Sequence, residues 1–232
     1  MKLDGKIALI TGGGRGIGKA VAMAYARAGA AVGICARTEK EIEETRSEIV
    51  GLGGRCEAWA CDISDLESVD KLIKQMEKTF ARIDVLVNNA GVMTRPAALT
   101  DLEVKKWDYT IAVNLRGTFL VTRAVLPVMI REKSGSIINV SSSIGRSGYA
   151  NFTAYAASKW GIEGFTQSLA AETRAHQIRV NSIDPGYVAT KLTGYRGSNP
   201  ESVSGVFLYL ASDESKKISG KMLSSSSWKA EI

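Results

Sequence analysis

The apolar run Lys6 to Thr11 passes without a spacer into a glycine cluster, TGGGRGIG at Thr11 to Gly18, and from there into a segment of helical period. A strand that turns at once into a helix needs glycine at the turn, and the same glycines let backbone amides approach an anion at the helix N-terminus. Such a cluster serves the turn whether or not anything binds. Its place in the first strand-to-helix turn is what strengthens a nucleotide reading. Gly12, Gly14, Arg15, Gly16, Ile17 and Gly18 are the candidate phosphate-loop residues.

The same alternation continues along the chain. Strands are predicted at Lys6 to Thr11, Ala31 to Ala36, Arg55 to Asp62, Ile83 to Asn88, Gly135 to Ser141, Arg179 to Asp184 and Lys221 to Ser224. Helices are predicted at Gly16 to Ala28, Glu39 to Leu52, Ser64 to Phe80, Trp107 to Glu132, Thr153 to Ala175 and Pro200 to Ser212, with Gly29 and Gly53 as stops. Strand and helix in turn imply an α/β fold: a Rossmann-type, doubly wound parallel sheet of about seven strands with helices on both faces. With 45% hydrophobic residues, 232 positions suffice for one such core and are short for two, so residues 1–232 are expected to form one domain.

Thirty basic residues are scattered among 24 acidic ones, for a net charge of +6, and the longest basic runs are pairs such as Lys105-Lys106. That is a solvated, slightly basic surface and gives no footprint for nucleic acid. Cys35, Cys56 and Cys61 are odd in number and lack Cys-x-x-Cys spacing, so buried reduced thiols are expected rather than disulfides or zinc; the lone His176 leaves no His-rich metal site. Met1 to Gly5 has no leader pattern, and the apolar stretch Val21 to Cys35 is broken by Arg27, Gly29 and Gly33. A cytoplasmic protein without a membrane span is the expectation.

Arg15 lies in the glycine turn, and Arg37 follows the second strand, where a dinucleotide fold holds the adenosine ribose and an NAD enzyme usually presents an acid. Two guanidiniums there favour a 2′-phosphate, hence NADP(H), over two idle surface arginines. Asp62 and Ile63 end the third strand, and Asn89, Ala90 and Gly91 of NNAG follow the fourth. Both lie at strand carboxyl ends, facing the ligand crevice of an open parallel sheet, with Asp62 suited to accept from an adenine amino group.

Ser142 ends the fifth strand, while Tyr155 and Lys159 are spaced by four on the following helix and so share a face. Tyrosine titrates near 10, and bringing it to about 7 requires roughly 4 kcal/mol. One ammonium about 4 Å away supplies that much at an effective dielectric near 20, aided by the positive charge of an oxidised nicotinamide. Tyr155 is the candidate proton donor or acceptor, and Ser142 the candidate hydrogen-bond donor to the substrate oxygen. A Tyr-x-x-x-Lys pair alone arises often by chance and gains force only from its company.

Taken together, TGGGRGIG, NNAG, Asn114 in IAVN, Ser142 in INVSSS, Tyr155-Ala-Ala-Ser-Lys159 and DPGYVAT resemble the short-chain dehydrogenase/reductase family from about Lys6 to Thr190, with a weaker continuation to Gly220. The resemblance implies that Asn114 holds a water linking Lys159 to solvent and that Lys159 also meets the nicotinamide ribose. It further implies that Pro185, Gly186, Val188 and Thr190 meet the carboxamide. The family serine stands thirteen residues before the tyrosine, which selects Ser142 over Ser141 and Ser143. A homodimer or homotetramer is implied through the helices predicted at Trp107 to Glu132 and Thr153 to Ala175.

Two departures concern substrate. Residues 191–202 are short for the family's helical flap, which suggests an open site, and the tail at 221–232, KMLSSSSWKAEI, replaces the usual ending. The run Ser224 to Ser227 reads equally as a strand end or a frayed tail. Ile144, Tyr149, Phe152 and Tyr187 are expected to form a partly apolar, aromatic substrate pocket. The leading functional expectation is a carbonyl reductase similar to 3-oxoacyl-carrier-protein reductases. The alternatives are an alcohol, sugar or steroid dehydrogenase, or a non-catalytic NADP-binding regulator.

Overall fold

The computed structural model describes residues 2–232. Seven strands, β1 (Ile7–Thr11), β2 (Ala31–Ala36), β3 (Cys56–Ala60), β4 (Val85–Asn88), β5 (Gly135–Val140), β6 (Ile178–Asp184) and β7 (Met222–Ser224), form one sheet in the order β3-β2-β1-β4-β5-β6-β7. Every pairing is parallel. Parallel neighbours need long crossovers, and the helices supply them. These are α1 (Gly16–Arg27), α2 (Glu39–Gly51), α3 (Leu66–Phe80), α4 (Val104–Ile111), α5 (Thr118–Glu132), α6 (Thr153–Glu172) and α7 (Ser204–Ala211). The expected doubly wound Rossmann-type fold is what the chain adopts.

Side chains alternate across a strand, so a sheet covered on both faces has two cores. Ala8 and Ile10 of β1 pack with Val21, Tyr25 and Phe207 on the α1 and α7 face. Leu9 points the other way, among Leu72, Met76, Val121 and Val125 of α3 and α5. Helix α3 shows how the sequence pattern becomes packing. Val69, Leu72, Ile73, Met76 and Phe80 recur at helical spacing and are buried, each such side chain contributing about 1.5–3 kcal/mol. Asp65 caps its start by accepting from the Ser68 amide at 3.1 Å, and Ala81 ends it in the left-handed region.

The helix predicted from Trp107 to Glu132 starts at Val104 and is not continuous: Ala112–Gly117 forms a π-helical turn between α4 and α5. The cause lies in Asn114, whose side chain is bound to the backbone of Val92 in both directions, 2.8 Å from its amide and 2.9 Å from its carbonyl. Widening the turn lets the helix reach the loop after β4. Val104–Glu132 also has the length and hydropathy to cross a membrane. Here Leu120, Val121, Val125, Val128 and Met129 of that stretch are buried in the core, as in the core helix of a soluble fold.

Ser224 ends β7, Ser225 donates its amide to Asp184 and its hydroxyl to Pro185, and Trp228 in the turn that follows packs 4.9 Å from the Tyr209 ring. The serine run is therefore a strand end held to the sheet. All three cysteines are buried and free. From β1 the chain steps outward through β2 and β3, then returns to the other side of β1 for β4 through β7. The reversal opens a crevice at the carboxyl ends of β1 and β4, the position at which such sheets bind ligands.

Candidate active site

Thr11 joins the two loops that flank the crevice. Its hydroxyl oxygen accepts from the amides of Asn89 and Ala90, both at 3.0 Å, which ties the glycine turn after β1 to the loop after β4. Asn89 strengthens the join by donating to the carbonyls of Thr11 at 2.9 Å and Gly12 at 3.2 Å. Gly12 has a φ of +68° and a Cβ there would meet the Asn89 amide; at Gly18 a Cβ would stand 2.2 Å from the Gly12 carbonyl oxygen. The glycines at these two positions thus allow the helix to start against the strand.

Above this floor lies a cavity of about 500 Å³, a size that suits a small-molecule ligand. Gly12, Gly14, Arg15, Gly16 and Ile17 line one wall, with Asp62, Ile63, Asn89, Ala90 and Gly91 beside them. Ser142, Tyr155 and Lys159 line the far end, and Pro185, Gly186, Val188 and Thr190 close over it. Gly18 and Asn114 do not line it: Gly18 lies beneath the glycine turn, and the Asn114 amide is engaged with Val92 and with the Ser158 hydroxyl at 3.1 Å. Helix α1 has no side-chain cap and no acid in its first turn. Uncapped first amides at a helix N-terminus can receive an anion.

Both arginines expected at the ribose line the cavity, and both carry a carboxylate partner. Arg15 Nη1 lies 2.6 Å from a Glu41 oxygen, and Arg37 lies 4.0 Å from Asp62 with its guanidinium 5.7 Å from the Tyr109 ring centre. Glu41 sits in the first turn of α2. It stands four residues past Arg37, where nothing in the sequence singles it out, and the βα turn swings it across to Arg15. Asp62 is partly committed too: its Oδ1 accepts from the amide and hydroxyl of Ser64 at 2.9 and 2.6 Å. Burial opposes its charged form, yet these bonds and Arg37 hold its carboxyl below the ordinary range.

At the far end, the Lys159 amine is buried, donates to the Val140 carbonyl at 2.7 Å and stands 5.5 Å from the centre of the Tyr155 ring. Burial pushes the amine down to about 8, against the pull of Glu163 and Asp184. The Tyr155 phenol is pushed up to about 12 by burial, with a hydrogen bond to Ser142 drawing it down and Asp184 raising it. The direction is opposite to the lowering expected from the Tyr155–Lys159 spacing. The expectation began from an exposed phenol, whereas this one is desolvated.

Ser142 lines the cavity with Tyr155, its hydroxyl oxygen accepting from the Ile144 amide at 3.3 Å; Ser141 also lines the cavity, but its buried hydroxyl has no partner. Of the anticipated substrate positions, Ile144, Tyr149, Phe152 and Tyr187 all stand outside the cavity, and Tyr149 and Tyr187 are exposed. The short flap folds compactly. Thr190 caps a single turn at Lys191–Thr193, Val188 bridges to Ser198, and Lys191, Leu192 and Thr193 line the cavity. These three residues, like Glu41, Val92 and Met93, were not among the expected site residues, because loop closure brings them in.

Such an arrangement of a glycine-turn nucleotide crevice beside a Ser, Tyr and Lys cluster is that of a nicotinamide-dependent oxidoreductase. Residues 6–201 match the family model for short chain dehydrogenase, and the chain belongs to that family. It is 38% identical to the 3-oxoacyl-[acyl-carrier-protein] reductase FabG of Thermotoga maritima, over 96% of this chain and 97% of the relative. To the D-threitol dehydrogenase of Mycolicibacterium smegmatis it is 36% identical, over 94% and 90%. It superposes with a TM-score of 0.92 and 34% identity on a crystal structure from Beutenbergia cavernae, described as an NAD(P)-dependent gluconate 5-dehydrogenase with NADP at low occupancy; 99% of this chain and 98% of that one are covered. The chain is thus an oxidoreductase acting between carbonyl and alcohol.

Proposed function

We propose that the chain is an NADP(H)-dependent carbonyl reductase, with 3-oxoacyl or related ketones as substrates. The observation that carries this reading is the convergence of Ser142, Tyr155 and Lys159 at one end of a cavity whose other end is a glycine turn flanked by Arg15 and Arg37. A nicotinamide held in this cavity would supply the hydride. Tyr155 gives its proton to the carbonyl oxygen as it becomes an alkoxide, and Ser142 donates a hydrogen bond to the same oxygen. Lys159 stabilises the phenolate left behind and holds the ribose hydroxyls. Asn114 fixes the Val92 loop, and the family resemblance assigns it the water through which Lys159 regains a proton. The amides from Gly14 to Ile17 receive the pyrophosphate, those of Gly12 and Gly13 being spent on the Cys35 carbonyl, and Arg15 and Arg37 receive the 2′-phosphate once they release Glu41 and Asp62. The name of the Thermotoga maritima relative supports the substrate class.

The experiment is a panel of 3-oxoacyl thioesters, ketones and sugars with NADPH and with NADH. Turnover of the ketones with NADPH supports the reading, and no oxidation of NADPH by any carbonyl overturns it. Alcohol oxidation is the second reading, favoured by the resemblance to a D-threitol dehydrogenase. The same residues would serve with the cofactor ratio reversed. We also take residues 1–232 as one cytoplasmic domain, supported by its one continuous sheet and its buried free thiols, and a pairing of copies as what the family resemblance implies.

A further inference from the structure

Lys159 poses a physical difficulty. As a buried amine it is favoured neutral, yet its role at Tyr155 requires the ammonium, and its single hydrogen-bond acceptor is the uncharged Val140 carbonyl. One turn further along α6 stands Glu163, 8% exposed, a carboxylate inside the core that no step above uses. The Ser182 hydroxyl of β6 donates to its Oε2 at 2.9 Å, while its Oε1 has no hydrogen-bond partner. Residues four apart on a helix are neighbours on one face, so Tyr155, Lys159 and Glu163 form a column with the lysine in the middle. A carboxylate so buried is costly unless a cation balances it, and the lysine is costly for the mirror reason.

Resting on the catalytic reading above, we propose that Glu163 is the buried counter-charge that keeps Lys159 an ammonium, a positioning residue that acts on Tyr155 through Lys159. The surroundings of the column offer little else that could do so. From β5 comes only the Val140 carbonyl, and the π-helical turn sends the uncharged Asn114 amide to Ser158 while its Arg116 turns away to the Ser64 carbonyl. On α4, Lys105 and Lys106 pair with Glu103. Asp184 of β6 also acts on Lys159, but less than Glu163, and it lies at the open end of the strand accepting from the Gly186 amide at 3.0 Å. The plainer role for Glu163 is to pin α6 to β6 through Ser182. Glu163→Gln separates the two, because the amide oxygen can still accept from Ser182 while the charge is gone.

The test titrates the full chain carrying 13C at the lysine Cε, the Lys159 signal being assigned by its loss in Lys159→Arg. Glu163→Gln is expected to lower the Lys159 midpoint by about one unit, with Glu163→Asp recovering most of it. In alcohol oxidation, which needs the Tyr155 phenolate, the pH of half-maximal rate should rise correspondingly. A folded Glu163→Gln protein whose Lys159 midpoint matches the parent overturns the proposal. Should that variant fail to fold, Glu163→Met, of similar shape and without a buried amide, carries the same expectation. The titration needs no turnover, so a parent chain inactive on every substrate overturns the catalytic reading while the midpoint still decides the role of Glu163.

Discussion

Arg15 Nη1 lies 2.6 and 3.0 Å from the two carboxylate oxygens of Glu41, an ion pair across the mouth of the glycine turn. Both side chains are partly exposed, so breaking the pair costs at most about 1 kcal/mol. A 2′-phosphate offers a charge-assisted contact of about 1.5–3 kcal/mol in exchange. NADPH is therefore expected to bind about tenfold or more tightly than NADH, and Glu41→Gln to tighten NADPH further, by about threefold. Arg37→Asp should reverse the preference. Fluorescence titrations measure all of these constants, and equal affinities for both cofactors in the parent would discard the assignment.

The depressed amine of Lys159 has a consequence for stability. Unfolded, the lysine titrates near 10.4; folded, it titrates at about 8. Between those values the unfolded state holds the extra proton, so stability rises with pH across this window, and below about 8 the full penalty of burying the ammonium is present. The gap in unfolding free energy between the parent and Lys159→Met should thus change by up to about 3 kcal/mol from pH 8 to pH 10.5, in favour of the parent as pH rises. Urea melts at both pH values measure it; a constant gap would show that Lys159 titrates normally.

Gly18 is absent from the cavity wall yet leaves no room for a side chain. A Cβ there would stand 2.2 Å from the Gly12 carbonyl oxygen and 2.5 Å from the Asn89 amide. Overpacking of this kind costs about 1–3 kcal/mol. Gly18→Ala should lower the melting temperature and weaken both cofactors together, whereas a contact residue would weaken cofactor alone. An unchanged melting temperature would contradict the packing argument.

These three cases mark what the sequence made legible. The strands and the site motifs follow from local chemistry: β-branched runs give the strands, TGGGRGIG gives the turn, and an i to i+4 spacing unites Tyr155 with Lys159. Glu41, Glu163 and Thr193 are not singled out by the sequence because their contacts run across the fold, between α2 and the glycine turn, α6 and β6, and the flap and Val188. The burial of the Tyr155 phenol is hidden from the sequence for the same reason. Spacing reports a nearby ammonium but not the desolvation that pushes the group the other way.

The short flap bears on substrate size. Lys191–Thr193 makes one turn over the cavity, and the nearby Tyr187 and Tyr195 are left 62% and 71% exposed. Little surface remains to enclose a bulky substrate or exclude water from it. Ketones of increasing bulk should all react, with Michaelis constants at about the millimolar end of the usual range. A fall to micromolar values for the bulkiest member would show that another segment, or a neighbouring copy, completes the pocket.

The sharpest prediction concerns the proton donor. Tyr155 shares a helix face with Lys159, interacts with Ser142 and lines the same cavity. Tyr155→Phe deletes the acid that must protonate the nascent alkoxide while leaving the ring and most of the cavity wall intact. Turnover should fall by about 10²-fold or more, with NADPH affinity nearly unchanged. Lys159→Ala should be worse in a second way: it removes the charge that favours the phenolate and the ribose contact proposed for Lys159, so rate and cofactor affinity are expected to fall together and the pH profile to move upward. Single-turnover rates and NADPH dissociation constants for both variants separate these effects. If Tyr155→Phe retains more than about a tenth of the parent rate, short of a normal acid-base contribution, the proton comes from another residue and the roles given to Ser142 and Lys159 fall with it.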